Sequence, residues 1–187
     1  MTISQETMAE IDALVRGGFE EPERIFEIFS GEMYEPGELD EDELRNVIKS
    51  LSERLNIEKR DWPEVTDCDR LTKAFADMNR SGLVAIENAG YTQSDGYEDI
   101  LSELEQKADS KFYSGYCFYH GQDLERAVGN HGLYLSFGPL DATQEEKQGP
   151  EIGRKIVAIL AENGFQTKWD GTFNNRIFIP ALDWKRR

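Results

Sequence analysis

The stretch Gly115-Tyr116-Cys117-Phe118-Tyr119-His120-Gly121-Gln122-Asp123-Leu124-Glu125-Arg126-Ala127-Val128-Gly129-Asn130-His131-Gly132-Leu133-Tyr134-Leu135-Ser136-Phe137-Gly138 reads as strand, short helix, strand. Tyr116 to His120 is an aromatic and apolar run of strand length. Leu124, Ala127 and Val128 have helical spacing. After Gly132, Leu133, Leu135 and Phe137 fall on one strand face, with Tyr134 and Ser136 on the other. Twelve residues separate His120 from Leu133, close to the minimum for a parallel crossover.

Outward from this stretch, strand and helix keep alternating. Leu71, Ala74, Phe75 and Met78 make a helical stripe, with Thr66 and Asp69 placed as a capping box. Ser81-Gly82 ends that helix, and Leu83-Val84-Ala85-Ile86 is a buried strand. Residues 89–96 read as a loop, and Tyr97, Ile100, Leu101 and Leu104 mark the next helix. Residues 144–149 read as a polar loop, with Pro150 in the first turn of a helix carrying Ile152, Ile156, Ile159 and Leu160. Asn163-Gly164 stops it. Strands at 165–169 and 176–182 follow, paired antiparallel across a turn begun by Asp170-Gly171. The expected class is α+β: a mixed or antiparallel sheet of about five strands, with helices mainly on one face.

The N-terminal third reads as helices. Met8, Ile11, Leu14 and Val15 form one stripe, stopped by Gly17-Gly18. Pro22 opens a second helix with Ile25, Phe26, Ile28 and Phe29, and residues 31–37 form a loop. Asp40 is the N-cap of a third, with Leu44, Val47, Ile48, Leu51 and Leu55 on one face. Glu41, Asp42 and Glu43 suit the positive end of that helix dipole. Trp62-Pro63 is a boundary, because a residue before proline avoids the α region. The expected organisation is an acidic helical segment over 1–62 and an α+β domain over 63–187. The apolar stripes favour packing of the two as one unit.

With 187 residues the chain can bury a substantial core. Its net charge is −16. Nucleic-acid binding is therefore not expected, since counterion release needs clustered Lys and Arg. Charge is concentrated in residues 20–43, with eleven acids and one base, Arg24. No apolar run reaches the roughly 18 residues of a membrane span. The start, Met1-Thr2-Ile3-Ser4-Gln5-Glu6, lacks the basic and apolar regions of a signal peptide, so a cytoplasmic location is expected. Two cysteines, Cys68 and Cys117, are too few for a disulfide framework.

Three stretches carry a resemblance. They are Thr66-Asp67-Cys68-Asp69-Arg70-Leu71 with Ala74-Phe75, the Gly115 to Gly138 stretch, and the ending from Trp169-Asp170-Gly171 to Trp184-Lys185-Arg186-Arg187. Over residues 66–187 the chain resembles an uncharacterised bacterial domain family of unknown function. The resemblance implies a fold group and no activity. Its members often carry a cysteine cluster after the first strand. The corresponding stretch here, Asn88-Ala89-Gly90-Tyr91-Thr92-Gln93-Ser94-Asp95-Gly96, has none.

Chemistry-bearing residues are sparse. His120, Gln122 and Asp123 stand where a strand runs into a helix, a place that often presents functional side chains. One expectation is His120 as a general base oriented by Asp123, with Tyr119 beside it. The plainer reading is that Asp123 caps the helix and His120 makes one structural hydrogen bond. Cys117 lies an odd number of residues from His120, on the opposite strand face, so a Cys–His dyad is not expected. The spacings C-x-x-C and H-x₃₋₅-H are absent, and neither a metal nor a cofactor is expected. No phosphate loop, dinucleotide fingerprint or nucleophile elbow is present.

The acidic stretch remains. Glu38, Asp40, Glu41, Asp42 and Glu43 are expected to form a docking field for a basic protein partner, steering its approach. The plainer reading is a solvated helix face. The expected function is an acidic protein-binding module, of inhibitor or immunity type, that occludes a basic partner. The alternative is a small-ligand or enzyme site near His120.

Overall fold

The computed structural model describes residues 3–187, so the first two residues of the reading that found no signal peptide lie outside the described residues. The chain divides into two compact units, Met1–Thr66 with Trp184–Arg187, and Asp67–Asp183. The division falls at Thr66, and the last four residues belong with the helical unit.

In the helical unit, α1 spans Gln5–Gly17. The Ser4 side chain accepts from Thr7 N, and Gly18 ends the helix at φ 73°, a left-handed conformation that costs glycine little. Helix α2, Pro22–Glu27, starts on its proline. It runs directly into a π-helical turn, Ile28–Glu32, so helical backbone covers the start of the segment expected to be a loop. Helix α3, Glu41–Glu58, is capped by Asp40, whose carboxylate accepts from Glu43 N at 2.9 Å. The three helices bury Ile11, Ile25, Phe29, Leu44 and Ile48 in one cluster. Phe26, Ile28 and Tyr34 pack against it, while Met33 is exposed. Trp184 joins this unit by donating from Nε1 to Arg16 O at 3.1 Å, and the Arg186 guanidinium lies 3.8 Å from the Phe19 ring centroid.

The second unit contains α4 (Asp67–Arg80), β1 (Leu83–Ile86), α5 (Gln93–Gln106), β2 (Gly115–Phe118), α6 (Gly121–Val128), β3 (Leu133–Pro139), α7 (Glu145–Glu162) and β4 (Ile177–Ile179). Their class is α+β. The sheet order is β1-β2-β3-β4, with β1–β2 parallel and the other two pairs antiparallel, so the sheet is mixed. It has four strands, one fewer than expected. The strand expected at 165–169 is reduced to one bridge, Lys168 with Phe178. In that register the next hydrogen-bonded pair would join Gln166 to Pro180, and proline has no N–H to donate.

Helix α5 packs against one face of the sheet, and α4 and α7 against the other. Val84 and Phe118 share a cluster with Ile100 of α5. On the alternate face the Phe75 ring of α4 meets Tyr119 edge-on at 5.6 Å, and Phe137 meets Trp169 at 5.6 Å. Helix α5 begins earlier than its apolar stripe suggests. Thr92 and Asp95 form a reciprocal capping box inside the segment expected to be a loop. Helix α7 likewise begins at Glu145, which places Pro150 inside the helix rather than at its start. The missing Pro150 N–H removes one intrahelical bond. Gly149 beside it is buried against Phe173, so close that a Cβ there would clash. That packing holds the early turns in place against the proline's cost.

Candidate functional site

The start of α6 collects the polar chemistry of the second unit. His120 is its N-cap, in extended conformation, and its side chain makes no cap bond. The first N–H groups are satisfied from elsewhere: Gly121 N donates to Gly90 O at 3.0 Å and Gln122 N to Tyr91 O at 3.3 Å. The loop after β1 thus clasps the helix start, and Asp123 does not serve as the cap.

This leaves the Asp123 carboxylate free to gather two partners. Arg176, just before β4, approaches through one terminal nitrogen at 2.8 and 3.1 Å from the two oxygens. His120 Nε2 lies 3.0 Å from Asp123 Oδ2 and 3.4 Å from the same Arg176 nitrogen. Asp123 is 1% exposed and His120 5%. Burial is the largest influence on His120, and it pushes the imidazole below its ordinary pKa of 6.5. The Asp123 and Asp95 charges oppose that shift, while Arg176 reinforces it. The imidazole is therefore favoured in its neutral form. Its Nδ1 is buried without a hydrogen-bond partner. Asn88 Oδ1, in the loop after β1, is in the same condition, and Asn88 adopts φ 52°.

The other residues read with His120 go elsewhere. Tyr119 is fully buried and donates to Glu87 Oε1 at 3.3 Å, and Gln122 is exposed. Cys117 is fully buried, and burial pushes its thiol well above the usual range. Cys68 is also buried. The described residues bring together no set of three His, Cys, Asp or Glu side chains able to hold a metal ion. Arg176 was missing from the sequence reading. It stands 53 residues from Asp123, and no local pattern pairs the two. Asp95, by contrast, was detectable three residues after Thr92 as half of a capping box.

The acidic residues of the helical unit form the second group. Glu38, Asp40, Glu41 and Asp42 are exposed and Glu43 is half-buried. Glu38 accepts from Glu35 N at 3.2 Å, and Asp40 caps α3. Among the described residues, none of these five forms an ion pair. The contrast within the same unit is clear. Asp12 and Glu58 are held by Arg16 and Arg54, Glu27 and Glu32 by Arg24, and Glu23 by Arg45.

No described helix is long and apolar enough to cross a membrane. The chain belongs to the family described as a domain of unknown function (DUF6891), whose profile matches residues 2–187. The match extends beyond the 66–187 region of the resemblance to include the acidic helical segment. No curated protein and no solved structure matches the chain.

Proposed function

For this member of a family of unknown function, we propose an acidic protein-binding module that acts in the cytoplasm by covering a basic surface of its partner, as an inhibitor or immunity-type protein does. The observation that carries this reading is the set of five carboxylates at the start of α3, none of which forms an ion pair among the described residues. Capping α3 requires one carboxylate, and Asp40 supplies it. The helix dipole favours acids in the first turn by roughly 0.3–1 kcal/mol each, but five like charges in six positions repel one another. A basic partner relieves that repulsion, and the field of the unpaired acids speeds its encounter.

The test is association kinetics. A Glu41→Gln, Asp42→Asn, Glu43→Gln variant keeps the Asp40 cap and loses three charges. A partner recovered from native lysate and identified by mass should be basic. It should bind the variant with a slower on-rate and a flatter salt dependence. Unchanged kinetics with the variant reject the stretch as a docking site.

The unpartnered His120 Nδ1 favours a second reading, a small-ligand or catalytic site at His120 and Asp123. It predicts that a fragment set shifts the His120 imidazole signals and that Asp123→Asn removes the effect. A set that shifts none of them rejects it.

A further inference from the structure

Between α2 and α3 lies an open groove of about 290 Å³. Phe26 contributes its exposed apolar surface, above Ile48, which is itself buried, while Glu23, Arg45, Ser52 and Glu53 stand around them. The groove is near the lower limit of sites that enclose a small molecule, which run to roughly 300–1,000 Å³ and bury most of the ligand. An open groove of this size suits side chains projecting from a protein partner.

Its own residues show what chemistry it accepts. The Arg45 guanidinium lies 3.6 Å from the Phe26 ring centroid and pairs with Glu23 at 3.1 Å. A cation resting on an aromatic face beside a carboxylate is thus already a stable arrangement here. Lys49 and Glu53 stand 4.0 Å apart, so the four charged side chains of the groove nearly cancel. The excess charge lies at one end. Helical spacing puts Glu41 and Asp42 on the same strip of α3 as Arg45, Lys49, Ser52 and Asn56, one turn beyond the groove. Neither of these two acids forms an ion pair among the described residues.

We infer that this groove receives a basic amphipathic helix of the partner, with an aliphatic or aromatic side chain set against Phe26 and Lys or Arg side chains directed to Glu41 and Asp42. The inference rests on the protein-binding reading above and specifies the surface that reading uses. A trough between two packed helices is the shape into which a third helix lays its ridge. The strip from Glu41 to Asn56 spans about 22 Å at roughly 1.5 Å per residue, so the bound segment is about four turns long. The field guides the approach, and the apolar side chains provide most of the affinity.

The test uses the full chain and a labelled synthetic helix of about four turns, with Leu at i, i+3, i+4 and i+7 and Lys elsewhere. A second peptide with Glu in place of every Lys is the control. Binding is read by fluorescence anisotropy at low and moderate salt. The basic peptide should bind at least tenfold more tightly than its acidic control. Ser52→Trp, which fills the groove, should weaken binding tenfold or more at either salt. Glu41→Gln with Asp42→Asn should weaken it less and flatten the salt dependence. On the wild-type chain, amide shifts on titration should concentrate in residues 23–26 and 41–56. This readout stands even if Ser52→Trp fails to fold. If filling the groove leaves affinity within twofold, or the shifts fall elsewhere, the groove assignment is overturned, while a loss on charge removal preserves the acidic-surface reading. If the two peptides bind equally, both are overturned.

Discussion

Asp123→Ala tests what holds the α6 start to the entry of β4. The change removes three close approaches: two to Arg176, at 2.8 and 3.1 Å, and one to His120 Nε2, at 3.0 Å. His120 would then be buried at 5% exposure with Nδ1 unpartnered and Nε2 left only the 3.4 Å approach of Arg176. An unsatisfied buried polar atom costs about 1–3 kcal/mol, and a hydrogen bond to a charged group is worth about 1.5–3 kcal/mol. Arg176 keeps 33% side-chain exposure, so water recovers part of its loss. The expected destabilisation is about 3 kcal/mol. Native-state hydrogen exchange at the Cys117 and Phe137 amides, in the paired β2 and β3, reads this unit separately from the helical one. Where exchange proceeds through opening of the unit, the loss corresponds to on the order of a hundredfold faster exchange, at about 1.4 kcal/mol per decade. A rate within threefold of wild type would refute the claim that this carboxylate ties α6 to the last strand.

Further outcomes follow from the same contacts. Burial lowers the His120 pKa, so the unfolded chain binds the proton more readily than the folded one. This group's stabilisation is complete above pH 6.5 and is lost as pH falls below it. His120→Gln should flatten the stability profile of the second unit in that range, and an unchanged profile in urea titrations would contradict the assignment. Asp77 is held at about 2 by hydrogen bonds from Asn163 and Lys73, opposite in origin but equal in sign. Its contribution is present above pH 3.8 and lost as pH falls toward 2, and Asp77→Asn should remove that acid sensitivity. Deleting Trp184–Arg187 removes the Trp184 bond to Arg16 and the Arg186 stack on Phe19. Burying a large apolar side chain contributes about 1.5–3 kcal/mol, so the unfolding free energy of the helical unit, read by urea titration, should fall by an amount in that range. No shift would show that the tail does not support that unit.

Features fixed within one or two turns were legible in the chain. Gly18 stops α1, Pro22 starts α2, and Asp40 caps α3 because each acts on backbone groups a few residues away. The apolar stripe of α4 and the alternation of β3 are legible for the same reason: a 3.6-residue or two-residue period is a local property of one element. The acidic surface is legible too, since exposed charges in a row stay exposed wherever the helix packs.

Tertiary contacts decided the rest. The strand at 165–169 has adequate residues, yet its pairing stops at Lys168 because Pro180, opposite the next position, lacks a donor. The start of α7 lies before Pro150 because packing of Phe173 on Gly149 favours turns that local propensity alone disfavours. Asp123 looks like a helix cap, but carbonyls of the β1–α5 loop satisfy those N–H groups first and leave its carboxylate to Arg176. Each outcome depends on which distant donor or side chain arrives, and that is set by the free energy of the whole packed unit rather than by any window of the chain.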